Sequence, residues 1–408
     1  MYKKVILAFL CLGTLSCRSA SNETGLPESA ENKVYQPSAA DTLLLGIEQP
    51  EAYLSLLQNK RIGLIVNHTS VFPNEASQIH LVDYLLNKQI NIVKVFAPEH
   101  GFRGKADAGA HIANEKDSKT GLPLISLYGK NKKPTAEQLK DIDLLLFDIQ
   151  DVGARFYTYI STMHYAMEAA AENGKEFLVL DRPNPNGHIV DGPILEDKHR
   201  SFVGMHPIPV IHGLTVGELA RMINGEKWLQ GKTECQLTVI PMQNYTHATP
   251  YTLPIKPSPN LPNQQSVLLY PSLCFFEGTP LSIGRGTPFP FQVVGYPIRT
   301  FGEFNFTPAP TEGAQNPKLS GKNCHGLDLR EVTPPNRLDI GFLLLFYKLF
   351  PNKDEFFTSF FTLLAGTEKL QQQIEEGKSE EEIRNSWAND LEDYKTMRLN
   401  YLLYEDVQ

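Results

Sequence analysis

Ile142-Asp-Leu-Leu-Leu-Phe-Asp148 is an apolar run that ends on a carboxyl, and Ile149-Gln-Asp-Val-Gly-Ala-Arg-Phe-Tyr-Thr-Tyr159 follows it at once. A strand with one wet face alternates apolar and polar positions, whereas a nearly continuous apolar run marks a strand covered on both faces. The signature recurs at Arg61 to Asn67, Asn91 to Ala97, Pro123 to Tyr128 and Glu176 to Asp181. Between these runs, Gln78 to Lys88 and Ile160 to Asn173 space their apolar residues as helices do. Strands alternating with amphipathic helices predict an α/β fold with a doubly wound parallel sheet. Pro207 to His212 is expected as a further strand. Thr215-Val-Gly-Glu218 after it is a capping box, which accounts for the threonine of Gly213-Leu-Thr-Val-Gly217 without nucleophilic chemistry.

Further along, a connection rich in proline (Pro250, Pro254, Pro257, Pro259, Pro262) follows Leu237 to Met242 and divides the chain. Residues 43–255 are expected to form the parallel-sheet domain and residues 256–408 a smaller α+β domain. The second domain is read as strand and loop rich over Tyr270 to Tyr296, then helical at Ile340 to Leu349, Phe356 to Leu364, Glu368 to Glu376 and Ser379 to Trp387. At the other end, Lys3 and Lys4 precede an apolar stretch, Val5 to Leu15, that is too short to span a bilayer. Residues 1–16 therefore read as an export signal. Ser16-Cys17 resembles a lipobox, which makes Cys17 the expected lipidation site and residues 17–42 a flexible tether. An exported lipoprotein held by its lipid at the periplasmic or cell-surface face follows.

Composition narrows the function. The 408 residues carry 38 basic and 46 acidic side chains, a formal charge of −8, opposite in sign to what nucleic acid binding requires. Beyond Cys11 and Cys17 only Cys235, Cys274 and Cys324 remain, widely spaced and odd in number, so buried free thiols, or at most one bridge, are expected. No G-x-G-x-x-G follows the first strand and no P-loop is present, so the nucleotide fingerprint is missing from a nucleotide-type fold.

Ligands of open parallel sheets sit beyond the carboxyl ends of the strands. Asn67 and His68, Glu99 and His100, Asp148, Gln150 and Asp151, and Asp181, Arg182 and Asn184 occupy those ends. Glu99, in Ala97-Pro-Glu-His-Gly-Phe-Arg-Gly104, is the leading catalytic carboxyl, since its glycines allow close backbone approach to a ligand. The 148–159 loop adds two carboxyls, Arg155, Tyr157 and Tyr159, the set a sugar pocket with an anionic substituent would use. Asp148 also has a structural reading, as a turn cap or as a partner of Arg155. From the second domain come Asn260 between prolines, Glu277, and Arg285 between two glycines, the last either a carboxylate binder or a salt-bridge partner across the domains.

Together E-H-G-F-R-G, D-I-Q-D-V-G-A-R-F-Y-T-Y, D-R-P-N-P, S-P-N-L-P and F-E-G-T-P-L-S-I-G-R-G-T resemble the NamZ family of exo-β-N-acetylmuramidases, in order from about Arg61 to the C-terminus. The resemblance implies a Rossmann-like domain and a smaller C-terminal domain with the active cleft between them. It implies release of N-acetylmuramic acid from non-reducing ends of peptidoglycan fragments, with neither metal nor cofactor. By position Glu99 matches the family's catalytic glutamate, and Asp151 is taken as the second acid. Asn67, His100, Asp148, Gln150, Arg155, Tyr157, Asn260, Glu277 and Arg285 are the expected substrate contacts, with Arg155 or Arg285 on the lactyl carboxylate.

Glycosidic cleavage needs one carboxyl to protonate the leaving oxygen and another group to attack C1 or activate water, and the separation of the two carboxyls distinguishes retention from inversion. A substrate-assisted route through the acetamido group is the third possibility. Two other classes compete with a glycosidase. His68, His100, His111, Asp148 and Asp151 are ligand types for a metal-dependent hydrolase, though no H-E-x-x-H or H-x-H pair is present. A non-catalytic glycan-binding lipoprotein would use the same aromatic and arginine residues.

Overall fold

The computed structural model describes residues 42–73, 78–99, 101–102 and 116–406. The leader, Cys17, most of the tether, His100 and His111 lie outside the described residues.

Six strands form the first sheet: β1 (Ile62–Val66), β2 (Ile92–Ala97), β3 (Leu124–Ser126), β4 (Leu144–Asp148), β5 (Glu176–Leu180) and β6 (Gln236–Ile240). Their order is β3-β2-β1-β4-β5-β6 and every pairing is parallel. The order reverses between β1 and β4, where such sheets open a crevice beyond their carboxyl ends. Val66 lies in register with Asp148 there.

Helices α1 (Pro50–Leu57), α2 (Leu81–Asn87), α3 (Ala136–Leu139), α4 (Tyr159–Glu172) and α5 (Val216–Gly225) accompany the strands. Alternate strand residues divide between the two faces. Leu145, Phe147, Phe177 and Val179 pack with Met163 and Met167 of α4 and Leu219 of α5. Leu144, Leu146, Leu178 and Leu180 pack with Tyr53 of α1 and Leu81 and Leu85 of α2. Burial on both faces explains the unbroken apolar runs. Thr215 accepts from the Glu218 amide at 3.2 Å while the Glu218 carboxylate accepts from the Thr215 amide at 2.9 Å, so the capping box forms.

The later part of the chain contributes α6 (Gln264–Leu273), an antiparallel sheet of β7 (Val293–Tyr296), β8 (Phe304–Phe306) and β9 (Cys324–Asp328) in the order β7-β9-β8, and five helices. These are α7 (Gly341–Leu349), α8 (Ser359–Ala365), α9 (Lys369–Glu375), α10 (Glu380–Asn385) and α11 (Ala388–Arg398). Cys235, Cys274 and Cys324 are buried and free.

Two local expectations are corrected. Pro207 to His212 is not a strand; its Ile211 makes only isolated bridges to Ala154 and Asp191. Pro207 and Pro209 have no N–H to place in a ladder. The carbonyls of Ile208 and Val210 serve Arg155 instead. The Tyr270 to Tyr296 stretch begins as helix, because Pro271 is accommodated inside α6. The Val267 carbonyl, which Pro271 cannot reach with a donor, accepts from Asn186 Nδ2 at 3.5 Å.

Candidate active site

A cavity of 510 Å³ opens at the carboxyl end of the parallel sheet. Glu99 lies on its wall, two residues past the end of β2, where the Gly101 amide closes a turn onto the Pro98 carbonyl at 3.0 Å. The side chain is half-buried and its Oε2 accepts from the Thr158 hydroxyl at 3.0 Å. The Tyr128 hydroxyl lies beside it; burial and the adjacent Glu99 carboxylate push that phenol up to about 12. Thr158 and Tyr159 reach the cavity from the first turn of α4, so the helix that follows the Asp148 loop delivers a hydroxyl to Glu99.

Of the residues expected from the sequence, the same wall gathers Tyr157, Asn260, Glu277 and Arg285. Tyr157 donates its hydroxyl to the Pro257 carbonyl at 2.9 Å and meets Tyr159 and Tyr270 edge to face, which fixes three rings around the cavity floor. Asn260 donates Nδ2 to the Gly313 carbonyl at 2.8 Å. Glu277 follows α6 in a short 3-10 turn, Cys274–Gly278, and accepts from Arg285 Nε at 2.5 Å. The Arg285 partner is thus eight residues away, not across the cavity. Lys318, also on the wall, donates to the carbonyls of Phe276, Glu277 and Thr279, and burial lowers its pKa.

Arg155, Asp148, Gln150 and Asn67 are turned into the protein. Arg155 is fully buried, and its Nη1 and Nη2 donate to the carbonyls of Pro193, Ile208, Leu364 and Ala365 at 2.7 to 3.0 Å. No such donor is left for a lactyl carboxylate, and the arginine serves as a cross-brace. Asp148 is buried in a two-pronged pair with Arg182, at 2.5 and 2.9 Å, so its partner is neither substrate nor Arg155. Gln150 donates its amide to the Asp151 and Pro183 carbonyls. Asn67 is buried, with its Oδ1 accepting from Thr69, and adjoins the Tyr159 hydroxyl.

Asp151 is 4% exposed and outside the cavity lining; its Oδ2 accepts from the Gly153 amide at 2.7 Å and lies 3.7 Å from His212 Nε2. It therefore does not share the cavity with Glu99, although Tyr159 feels the charge of both carboxylates. His68 hydrogen-bonds the Lys256 carbonyl at 2.8 Å. Among the described residues no three of His, Cys, Asp and Glu converge as a metal ion would need.

Strand-end reasoning passed over Tyr128, although it sits two residues beyond β3 and the rule that found Glu99 would have found it. Lys318 had no local signal, since an isolated lysine between Pro317 and Leu319 reads as surface.

Models of the N-terminal and C-terminal domains of the exo-β-N-acetylmuramidase NamZ match residues 62–265 and 268–404. The chain belongs to the NamZ family. The peptidoglycan β-N-acetylmuramidase NamZ of Bacillus subtilis strain 168 is 40% identical over 433 aligned positions, covering 98% of this chain and 100% of that protein. Two crystal structures of DUF1343 family proteins from Bacteroides fragilis are similar at 48% and 34% identity, with TM-scores of 0.82 and 0.75. Each covers 90% of this chain and 100% of its own. The two NamZ domain matches meet within α6, so Glu99, Tyr128 and Thr158 belong to the first and Glu277, Arg285 and Lys318 to the second. The cavity is walled by both NamZ domains.

Proposed function

We propose that this chain is an exo-acting glycoside hydrolase that releases β-linked N-acetylmuramic acid from the non-reducing ends of peptidoglycan fragments. NamZ family membership supports the reaction class, and the name of the Bacillus subtilis relative supports the substrate. The single observation that carries the catalytic assignment is Glu99: a half-buried carboxyl on the cavity wall, oriented by the Thr158 hydroxyl and flanked by Tyr128. As the C1–O bond breaks, negative charge builds on the leaving oxygen and a positioned carboxyl relieves it by giving up a proton. Glu99 takes that role and recovers its proton as water enters.

The part of the cavity contributed by the second NamZ domain supplies recognition. Muramic acid differs from glucosamine by a lactyl ether whose carboxylate is anionic at neutral pH, and among the described residues Arg285 is the guanidinium on the cavity wall. Arg285 rather than Arg155 therefore receives that carboxylate. Export and anchoring through lipidated Cys17 at a membrane face complete the proposal, supported by the sequence of residues 1–22. Cys17→Ser tests the anchor: the variant should move from the membrane to the soluble fraction.

The enzymatic reading is tested with protein lacking residues 1 to 17, given a chromogenic β-linked N-acetylmuramic acid and the matching N-acetylglucosamine. Selective release from the first, unchanged by chelator, is expected. Release from the second alone would make the protein a hexosaminidase, loss of activity with chelator would make it a metal-dependent hydrolase, and binding without release would make it a glycan-binding protein.

A further inference from the structure

Glu277 is the other carboxylate among the described residues of the cavity wall, and its placement is more constrained than a surface ion pair requires. Three features hold it. The Lys318 ammonium ties down the carbonyls of residues 276, 277 and 279 around it. Gly278 lets this turn approach α8 so closely that a Cβ there would lie 2.5 Å from the Phe361 Cα. Arg285 stands on a turn whose flanking Gly284 and Gly286 both have φ of +81°, a conformation that side chains with a Cβ rarely adopt. A Cβ at Gly286 would also lie 2.5 Å from the Ala309 carbonyl oxygen.

Arg285 touches Glu277 through Nε and Oε1 alone, an edge contact that leaves both terminal amino groups and Oε2 uncommitted among the described residues. The side chains are 28% and 24% exposed, and the guanidinium carbon lies 5.0 Å from the centre of the Phe291 ring. The result is an acceptor and a cluster of donors fixed side by side on one wall.

We propose that Glu277 accepts a hydrogen bond from the free 4-hydroxyl of the terminal muramic acid and so confers exo action, while the adjacent Arg285 holds the lactyl carboxylate. The proposal rests on the muramidase reading above and adds the end-recognition that reading lacks. On the sugar ring, C3 carries the lactyl ether and C4 carries the hydroxyl through which an upstream sugar would be joined. A carboxylate beside a guanidinium matches a hydroxyl beside a carboxylate in register. An alkylated 4-oxygen cannot donate, and it would leave Glu277 facing an ether with its acceptor unmatched. Glu277 is therefore a specificity residue, distinct from the proton donor Glu99, which the first domain contributes.

The test compares two chromogenic substrates, β-linked N-acetylmuramic acid with a free 4-hydroxyl and the same sugar methylated at that oxygen, on wild type, Glu277→Gln and Glu277→Ala lacking residues 1 to 17. Wild type should prefer the free hydroxyl by about 100-fold in kcat/KM, the loss expected when a charged hydrogen-bond partner goes unmatched. Glu277→Ala should lose about 10- to 100-fold on the free sugar and bring the two substrates within about threefold of each other. Glu277→Gln, whose amide oxygen still accepts, should fall between. A wild-type ratio near one overturns the proposal, and so does Glu277→Ala with its preference intact. If Glu277→Ala does not melt cooperatively, the wild-type and Glu277→Gln ratios decide. Absence of turnover by wild type on both substrates overturns the muramidase reading itself and this proposal with it.

Discussion

Arg155 lies two residues after a glycine and Arg285 between two, and each is a guanidinium suited to a carboxylate ligand, yet the fold uses them in opposite ways. Arg155 lies in the loop after β4 with no exposed surface, and four backbone carbonyls from three separate segments accept from it. Among the described residues no carboxylate offsets its burial, and the carbonyl dipoles stabilise a charge that an arginine does not give up. Arg285 contacts one carboxylate, stays partly exposed and faces the cavity. The same side chain is structural where main-chain acceptors surround it and available to a ligand where the fold leaves its donors open.

The contrast extends to the acids. Asp148 and Asp151, at the end of the central strand, satisfy Arg182 and the Gly153 amide, whereas Glu99 and Glu277 stand on the cavity wall. Asp148→Ala, which strands Arg182 as a buried cation, should cost about 3–5 kcal/mol in chemical denaturation. Arg155→Met should cost a similar 3–5 kcal/mol or so, because several buried carbonyls lose their donor at once. If either variant unfolds like wild type but loses activity, the division into structural and functional groups is wrong.

The next effect is a pH dependence from the sealed region. Burial, above all, raises the Asp181 carboxyl to about 6, despite hydrogen bonds from Tyr404, Thr215 and the Gly217 amide. The folded-state value exceeds the unfolded one, so its stability contribution is fully present below about pH 4 and is lost as pH rises through 6. A rise of that size corresponds to about 2–3 kcal/mol. The stability difference between wild type and Asp181→Asn should therefore change by about that amount between pH 4 and pH 7.5, with wild type losing ground as pH rises.

Arg285→Gln should leave stability within about 1 kcal/mol, since its ion pair is partly exposed, while raising KM for the muramic acid substrate by about 10- to 100-fold. Its activity on the N-acetylglucosamine counterpart should hardly move. The smallest effect is expected from Tyr128→Phe, which removes the hydroxyl beside Glu99 and should lower kcat by about 3- to 10-fold. A drop as large as that for removing Glu99 would make the tyrosine a direct participant.

The sheet was legible because its strands are buried on both faces, and Leu144 to Phe147 cannot be read as anything wet. The capping box at Thr215 and Glu218 was equally open, being a contact between residues three apart. Pro207 to His212 misled because apolar content predicts burial but not hydrogen-bond partners, and two prolines withhold the donors a strand needs. In the site, strand-end position found Glu99. Sequence could not separate Asp151 from Glu277, because inward or outward orientation depends on a His212 contact 61 positions away and on a Lys318 clamp 41 positions away from the acids they hold.

On the proposed mechanism, proton transfer in this cavity rests on the carboxyl of Glu99. Turnover of chromogenic β-linked N-acetylmuramic acid by Glu99→Gln should fall by at least about 10³-fold, with the melting temperature and substrate binding retained. A folded variant that keeps turnover within about threefold of wild type would mean that the proton comes from another group.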